Sequence, residues 1–125
     1  MSVRKTIEID GTPVAFQASA ATPRLYRNLF GRDIFDDMDK LMSSVKDQNP
    51  ENSKLDVIDL ELFENVAFTM ARQADPSVPD DVMQWLDGFE MFSIYAILPH
   101  ILELWGINME TMSDAKKKRL EQTEN

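Results

Sequence analysis

Residues 89–107 read FEMFSIYAILPHILELWGI, and a helix drawn through them has no wide polar face. Met91, Phe92, Ile94, Tyr95, Ile97, Leu98, Ile101, Leu102, Leu104 and Trp105 fall on nearly every side, the pattern of a helix wrapped by other elements. The stretch is therefore expected to be the central helix of the fold. Pro99 should bend or split it, because its ring removes one i to i−4 hydrogen bond and crowds the preceding turn. Glu90, His100 and Glu103 interrupt the run, and with Pro99 they argue against a membrane span, which needs about 20 mostly apolar residues.

The segments before it supply the wrapping. Pro79 is placed to start a helix whose apolar positions Val82, Trp85, Leu86 and Phe89 step by three and four, with Asp80 and Asp81 near its positive N-terminus and Gly88 as a separator. Phe63, Val66, Ala67, Met70, Ala71 and Ala74 give the cleanest helical period in the chain, beginning near Asp56 or Asp59 and ended by DPSVP (75–79). Upstream of Leu55, KDQNPENSK (46–54) holds no apolar residue and predicts a mobile surface loop.

Further toward the N-terminus, a helix over 33–45 is expected to bury Ile34, Phe35, Met38, Leu41, Met42 and Val45 and to show an acidic outer face. A shorter one opens at Thr22-Pro23, with Thr22 as N-cap and Pro23 in the first turn, carries Leu25, Tyr26, Leu29 and Phe30, and stops at Gly31. Residues 3–18 predict a β-hairpin: Val3, Lys5, Ile7 and Ile9 alternate with Arg4, Thr6 and Glu8, and Asp10-Gly11 turns the chain into Val14, Phe16 and Ala18. Two strands alone are marginal in water, so Ile7, Ile9, Val14 and Phe16 should face the helices. Beyond Gly106, residues 109–125 predict a polar, frayed tail containing Lys116-Lys117-Lys118-Arg119. The expected fold is thus α+β: one domain over 1–108, with the hairpin packed on a mainly helical body (22–106) of about five helices.

The chain has 125 residues, 43% hydrophobic, enough for one domain with a real core. It lacks cysteine, which removes disulfides, thiolate metal sites and a cysteine nucleophile, and suits a reducing cytoplasm. MSVRKTIEID at the start has no continuous apolar region, so no secretory signal is expected. The net charge of −9 is unevenly spread: residues 1–32 carry five basic and two acidic side chains, residues 33–114 four and eighteen. So acidic a body repels nucleic-acid phosphates and argues against nucleic-acid binding, while leaving steering toward a basic protein open.

Catalytic signals are weak. His100 is the sole histidine; Glu103 lies one turn on, but there is no second imidazole and no partner nucleophile, which points to a structural role. Asp36-Asp37-Asp39 and Asp80-Asp81 lack the spacing and glycine of a calcium loop, and the four glycines form no phosphate-cradling pattern. No catalytic residue, cofactor or metal is expected.

Several segments together, KTIEIDG (5–11), TPRLYRNLFGRD (22–33), FENVAFTMARQADPSVPDD (63–81), WLDGFEMFSIYAILP (85–99) and ELWGIN (103–108), resemble the tail assembly chaperones of long, non-contractile tailed bacteriophages and prophages of Gram-positive bacteria. The resemblance implies a non-enzymatic protein of the host bacterial cytoplasm, not expected in the mature virion. Such a protein holds the aggregation-prone tape measure protein in solution while tail tube protein is recruited around it. It also implies a longer form made by programmed frameshifting, and the Lys116–Lys118 codons are where a slippery site would lie. A holdase of this kind needs apolar surface for its client, and its apolar content is compatible with self-association. The candidate client-binding groove lies between the first two helices and the central helix, with Tyr26, Phe30, Phe35, Met38 and Met42 as contacts. The alternative function is an acidic phage or prophage regulator that mimics nucleic acid and occupies a basic host protein.

Overall fold

A computed structural model describes residues 2–45 and 57–106. The expected loop at 46–54 and the tail at 109–125, including Lys116–Lys118, lie outside the described residues. Two strands, β1 (Val3–Ile9) and β2 (Thr12–Ala18), are followed by helices α1 (Thr22–Phe30), α2 (Ile34–Val45), α3 (Val57–Ala74) and α4 (Val82–Leu86). A 3-10 helix (Ser93–Ile97) then leads directly into a last helix, α5, over 98–106. The fold is α+β, an antiparallel hairpin on a helical body.

The hairpin has the register its turn dictates. Asp10 (φ 54°) and Gly11 (φ 78°) both take the left-handed conformation, the requirement of a tight two-residue turn whose twist matches its strands. Ile9 then pairs with Thr12, Ile7 with Val14, Lys5 with Phe16 and Val3 with Ala18. Directly opposed residues share a face, so Ile7, Ile9, Phe16 and Ala18 are buried together while Val14 is half-buried. Lys5 shares that face at the level of Phe16, and its ammonium reaches past the apolar layer to donate to Glu103 on α5 at 2.9 Å.

A second tie holds the turn itself. The Asp10 carboxylate accepts the Glu90 backbone N–H at 3.0 Å and the Ser93 hydroxyl, and these bonds hold its pKa below the ordinary carboxylate value. Asp10→Ala removes both bonds and places a residue less tolerant of positive φ in the turn. It should lower the midpoint of thermal unfolding, whereas Asp10→Asn, which keeps an acceptor and tolerates the left-handed region, should lower it less. An Asp10→Ala melt equal to that of the wild type would show that the tie contributes nothing.

The centre of the fold is α3 and not the stretch 89–107. Leu62, Phe63 and every residue from Val66 to Ala71 are buried, with β2 on one side and α1, α2 and α4 on others. Phe68 links two sides of this layer, its ring 6.2 Å from Phe30 and 5.7 Å from Trp85. Within 89–106 the helix starts only at Ser93, and it is split beside Pro99 into a 3-10 segment and α5. Residues 89–92 are non-helical, the 3-10 segment follows, and Pro99 is the second residue of α5, at the junction of the two helix types. Only one side of this composite is covered, by way of Ile94, Ile97, Ile101, Leu104 and Trp105.

Two helix starts also differ from expectation. Thr22 is the first residue of α1 instead of its cap, and its buried hydroxyl accepts Ser19 N–H at 2.9 Å and donates to Gln73 of α3 at 2.6 Å. Helix α4 begins at Val82 and not at Pro79. Arg72 explains the delay: its guanidinium collects the carbonyls of Val78 and Pro79 and the carboxylate of Asp80, holding 78–80 outside a helix. Gly31 closes α1 at φ 67°, as its position predicts.

Candidate binding surface

The five candidate contacts separate into core and surface. Tyr26 and Met38 have no exposure at all, and Phe30 is half-buried between Tyr26 (5.3 Å) and Phe68. None of these three offers a client a free apolar face comparable with Phe35 (44% exposed) and Met42 (41% exposed). The geometry of α2 produces the split. Ile34, Met38 and Leu41 follow i, i+4, i+7 spacing and enter the core, so Phe35, Asp39 and Met42, one position on, form a parallel stripe at the edge of the interface. Phe35 also leans on Trp105 of α5, with ring centroids 5.5 Å apart.

Tyr26 is a structural tyrosine, and its partners make that plain. Its hydroxyl donates to Asp37 Oδ2 at 2.6 Å, while Arg32 grips both oxygens of the same carboxylate at 2.8 Å. The paired guanidinium holds the Asp37 carboxyl below its usual range despite burial, and burial together with the adjacent carboxylate pushes the Tyr26 phenol up. The cluster closes the α1–α2 corner around a charge that is bonded on both oxygens. No sequence spacing announced it, since Tyr26, Arg32 and Asp37 come together only once Gly31 has turned the chain.

Other apolar side chains stand out in water. Met91 and Phe92 are 78% and 73% exposed in the turn that Asp10 holds, and Met83 on α4 is 62% exposed. Met83 borders a cleft of about 400 Å3 between α3 and α4, lined also by Leu60, Glu61, Glu64, Asn65, Val82, Leu86 and Tyr95. Within it Tyr95 donates to Glu64 at 2.6 Å, a bond that raises the phenol pKa. The helical period of α3 does not announce this cleft, because Leu60, Glu61, Glu64 and Asn65 lie off its core-facing stripe.

His100 is exposed on α5, and the Glu103 carboxylate is engaged by Lys5. Among the described residues no group of three or more His, Asp or Glu side chains is placed to hold a metal ion, and no helix is long and apolar enough to cross a membrane. What the surface offers is apolar side chains set among carboxylates, an arrangement suited to binding. The chain matches no known protein family, no curated protein and no solved structure.

Proposed function

We propose that this protein is a tail assembly chaperone of the long-tailed phage type, which binds the tape measure protein, keeps it soluble and helps recruit tail tube protein, acting by contact and without catalysis. The observation that carries the reading is the α2 stripe of Phe35 and Met42, two large apolar side chains left in water beside the carboxylates of Asp36 and Asp39. Apolar surface grips an apolar client, and the surrounding negative charge keeps the complex dissolved. The segment resemblance supplies the identity of that client. The reading places the protein in the host cytoplasm during assembly, with a longer frameshifted form as the partner for tail tube protein.

Co-expression with the cognate tape measure protein tests it. The client should remain soluble and co-purify, and should do so at high salt, because apolar contacts are not screened. Phe35→Asp with Met42→Asp should reduce the recovered complex by about tenfold, the equivalent of about 1.4 kcal/mol, with unchanged helical circular dichroism. Recovery that is insensitive to both substitutions would remove α2 from the contact surface. Capture that disappears at high salt would favour the acidic decoy, whose attraction to a basic host protein is electrostatic.

A further inference from the structure

The cleft between α3 and α4 has features that the α2 stripe lacks. It is concave, its volume of about 400 Å3 falls among those of ligand-binding pockets, and its apolar floor comes from Leu60, Val82 and Leu86. Its polar lining is Glu61, Glu64, Asn65 and the Tyr95 hydroxyl, with no cation among the described residues that line it. The chain that forms it has the same sign: residues 57–106 hold nine acidic side chains and a single Lys or Arg, Arg72, and Arg72 is occupied by Asp80 and the 78–79 carbonyls. Met83 stands at the rim, a flexible, polarizable side chain able to fit itself to varied apolar surfaces.

We propose that this cleft is a docking groove for an amphipathic peptide helix that carries lysine or arginine beside its apolar stripe. The apolar stripe lies on Leu60, Val82, Met83 and Leu86, and the basic side chains meet Glu61 and Glu64. A groove between two helices accepts such a segment by taking anchors spaced at i, i+3 or i+4, and i+7. The negative rim selects among partners: an acidic helix, a nucleic acid or an anionic lipid surface would face the carboxylates of Glu61 and Glu64, with no cation in the described lining to offset them. Tyr95 restrains Glu64 through its hydroxyl, so one carboxylate is set in place before the partner arrives, which reduces the ordering cost of binding. The proposal is independent of the chaperone reading, since it rests on the shape and charge of α3 and α4 and not on α2.

The test uses the full chain and a synthetic leucine–lysine amphipathic helix of about four turns, with a leucine–glutamate helix of the same pattern as control. Binding is followed by methyl NMR and titration calorimetry. The expected result is saturable binding of the lysine peptide, with shifts centred on Leu60, Val82, Met83 and Leu86, and binding of the glutamate peptide at least about tenfold weaker. Met83→Asp and Glu61→Lys, both at exposed positions, should each weaken the lysine peptide by at least about tenfold while leaving the fold and thermal midpoint intact. Absence of saturable binding, equal affinity for both peptides, shifts centred on Met91 beside Phe92, or indifference to both substitutions would overturn the proposal. So would a change in sedimentation of the peptide-free protein on Met83→Asp, since a second copy of the chain would then be the occupant.

Discussion

Phe16→Ala is expected to lower the free energy of unfolding by about 3–5 kcal/mol, the usual cost of emptying a buried aromatic site. The side chain has no exposure, meets Trp85 edge-on with centroids 6.5 Å apart, and projects from the strand that lies on α3. A domain of this size has about 5–15 kcal/mol in total, so one substitution removes a large fraction of it. Urea denaturation followed by tryptophan fluorescence measures the effect, because Trp85 loses a neighbour in the folded state. A loss below about 1 kcal/mol, the scale of an ordinary surface-to-average substitution, would mean that the hairpin is not seated as described.

Asp37→Ala should cost about 2–4 kcal/mol, by a different mechanism. Asp37 is 3% exposed and accepts three hydrogen bonds from Tyr26 and Arg32. Its removal takes away a charge-assisted partner and leaves the fully buried Tyr26 hydroxyl without that acceptor. Arg32 is half exposed, so water takes up much of its loss. Tyr26→Phe is the milder variant, at about 1 kcal/mol, because the carboxylate keeps both guanidinium bonds. The pH dependence separates the two. The folded-state pKa of Asp37 lies below its unfolded value, which is about 3.9, so its stabilisation is complete above that value and is lost as pH falls through the folded one. The wild-type urea midpoint should therefore decline below about pH 4, and Asp37→Ala should show a shallower decline. An equally steep decline in the variant would assign acid sensitivity to other carboxylates, with Asp10, Asp75 and Glu103 shifted in the same direction.

Where the sequence was legible, a local physical requirement had one solution. Asp10-Gly11 between alternating strands fixes the hairpin, and Gly31 after an amphipathic run fixes the end of α1, because few other residues take positive φ without strain. The apolar run from Phe89 onward misleads for the opposite reason. Apolar content in 89–107 rivals that of α3, but hydrophobicity does not say whether a run is wrapped or lies along one edge, and Met91 and Phe92 belong to a turn. Burial on α3 is decided by neighbours far away in sequence, β2 and α1 among them. The same ambiguity governs the binding surface. Met38 and Met42 are one turn apart on an apolar arc wider than the contact it makes, and only the position of α3 sends one inward and leaves the other in water. The Tyr26–Asp37–Arg32 cluster and the α3–α4 cleft depend on tertiary placement alone and have no local signature.

The bonds from Asp10 to Glu90 and Ser93, and from Lys5 to Glu103, join residues 80 to 98 positions apart. They give the protein an order of assembly on the ribosome. The hairpin is made before the helices it lies on, so its inner face has nothing to cover it until α3 has been made, and the clasp on its turn waits for Glu90 and Ser93. A two-stranded ribbon has little stability of its own, and closing so long a loop brings no reward until the far contact is in place. Phe16, Ile7 and Ile9 thus stay uncovered until α3 has been made, and the turn of the hairpin is clasped only when Glu90 and Ser93 arrive beside it.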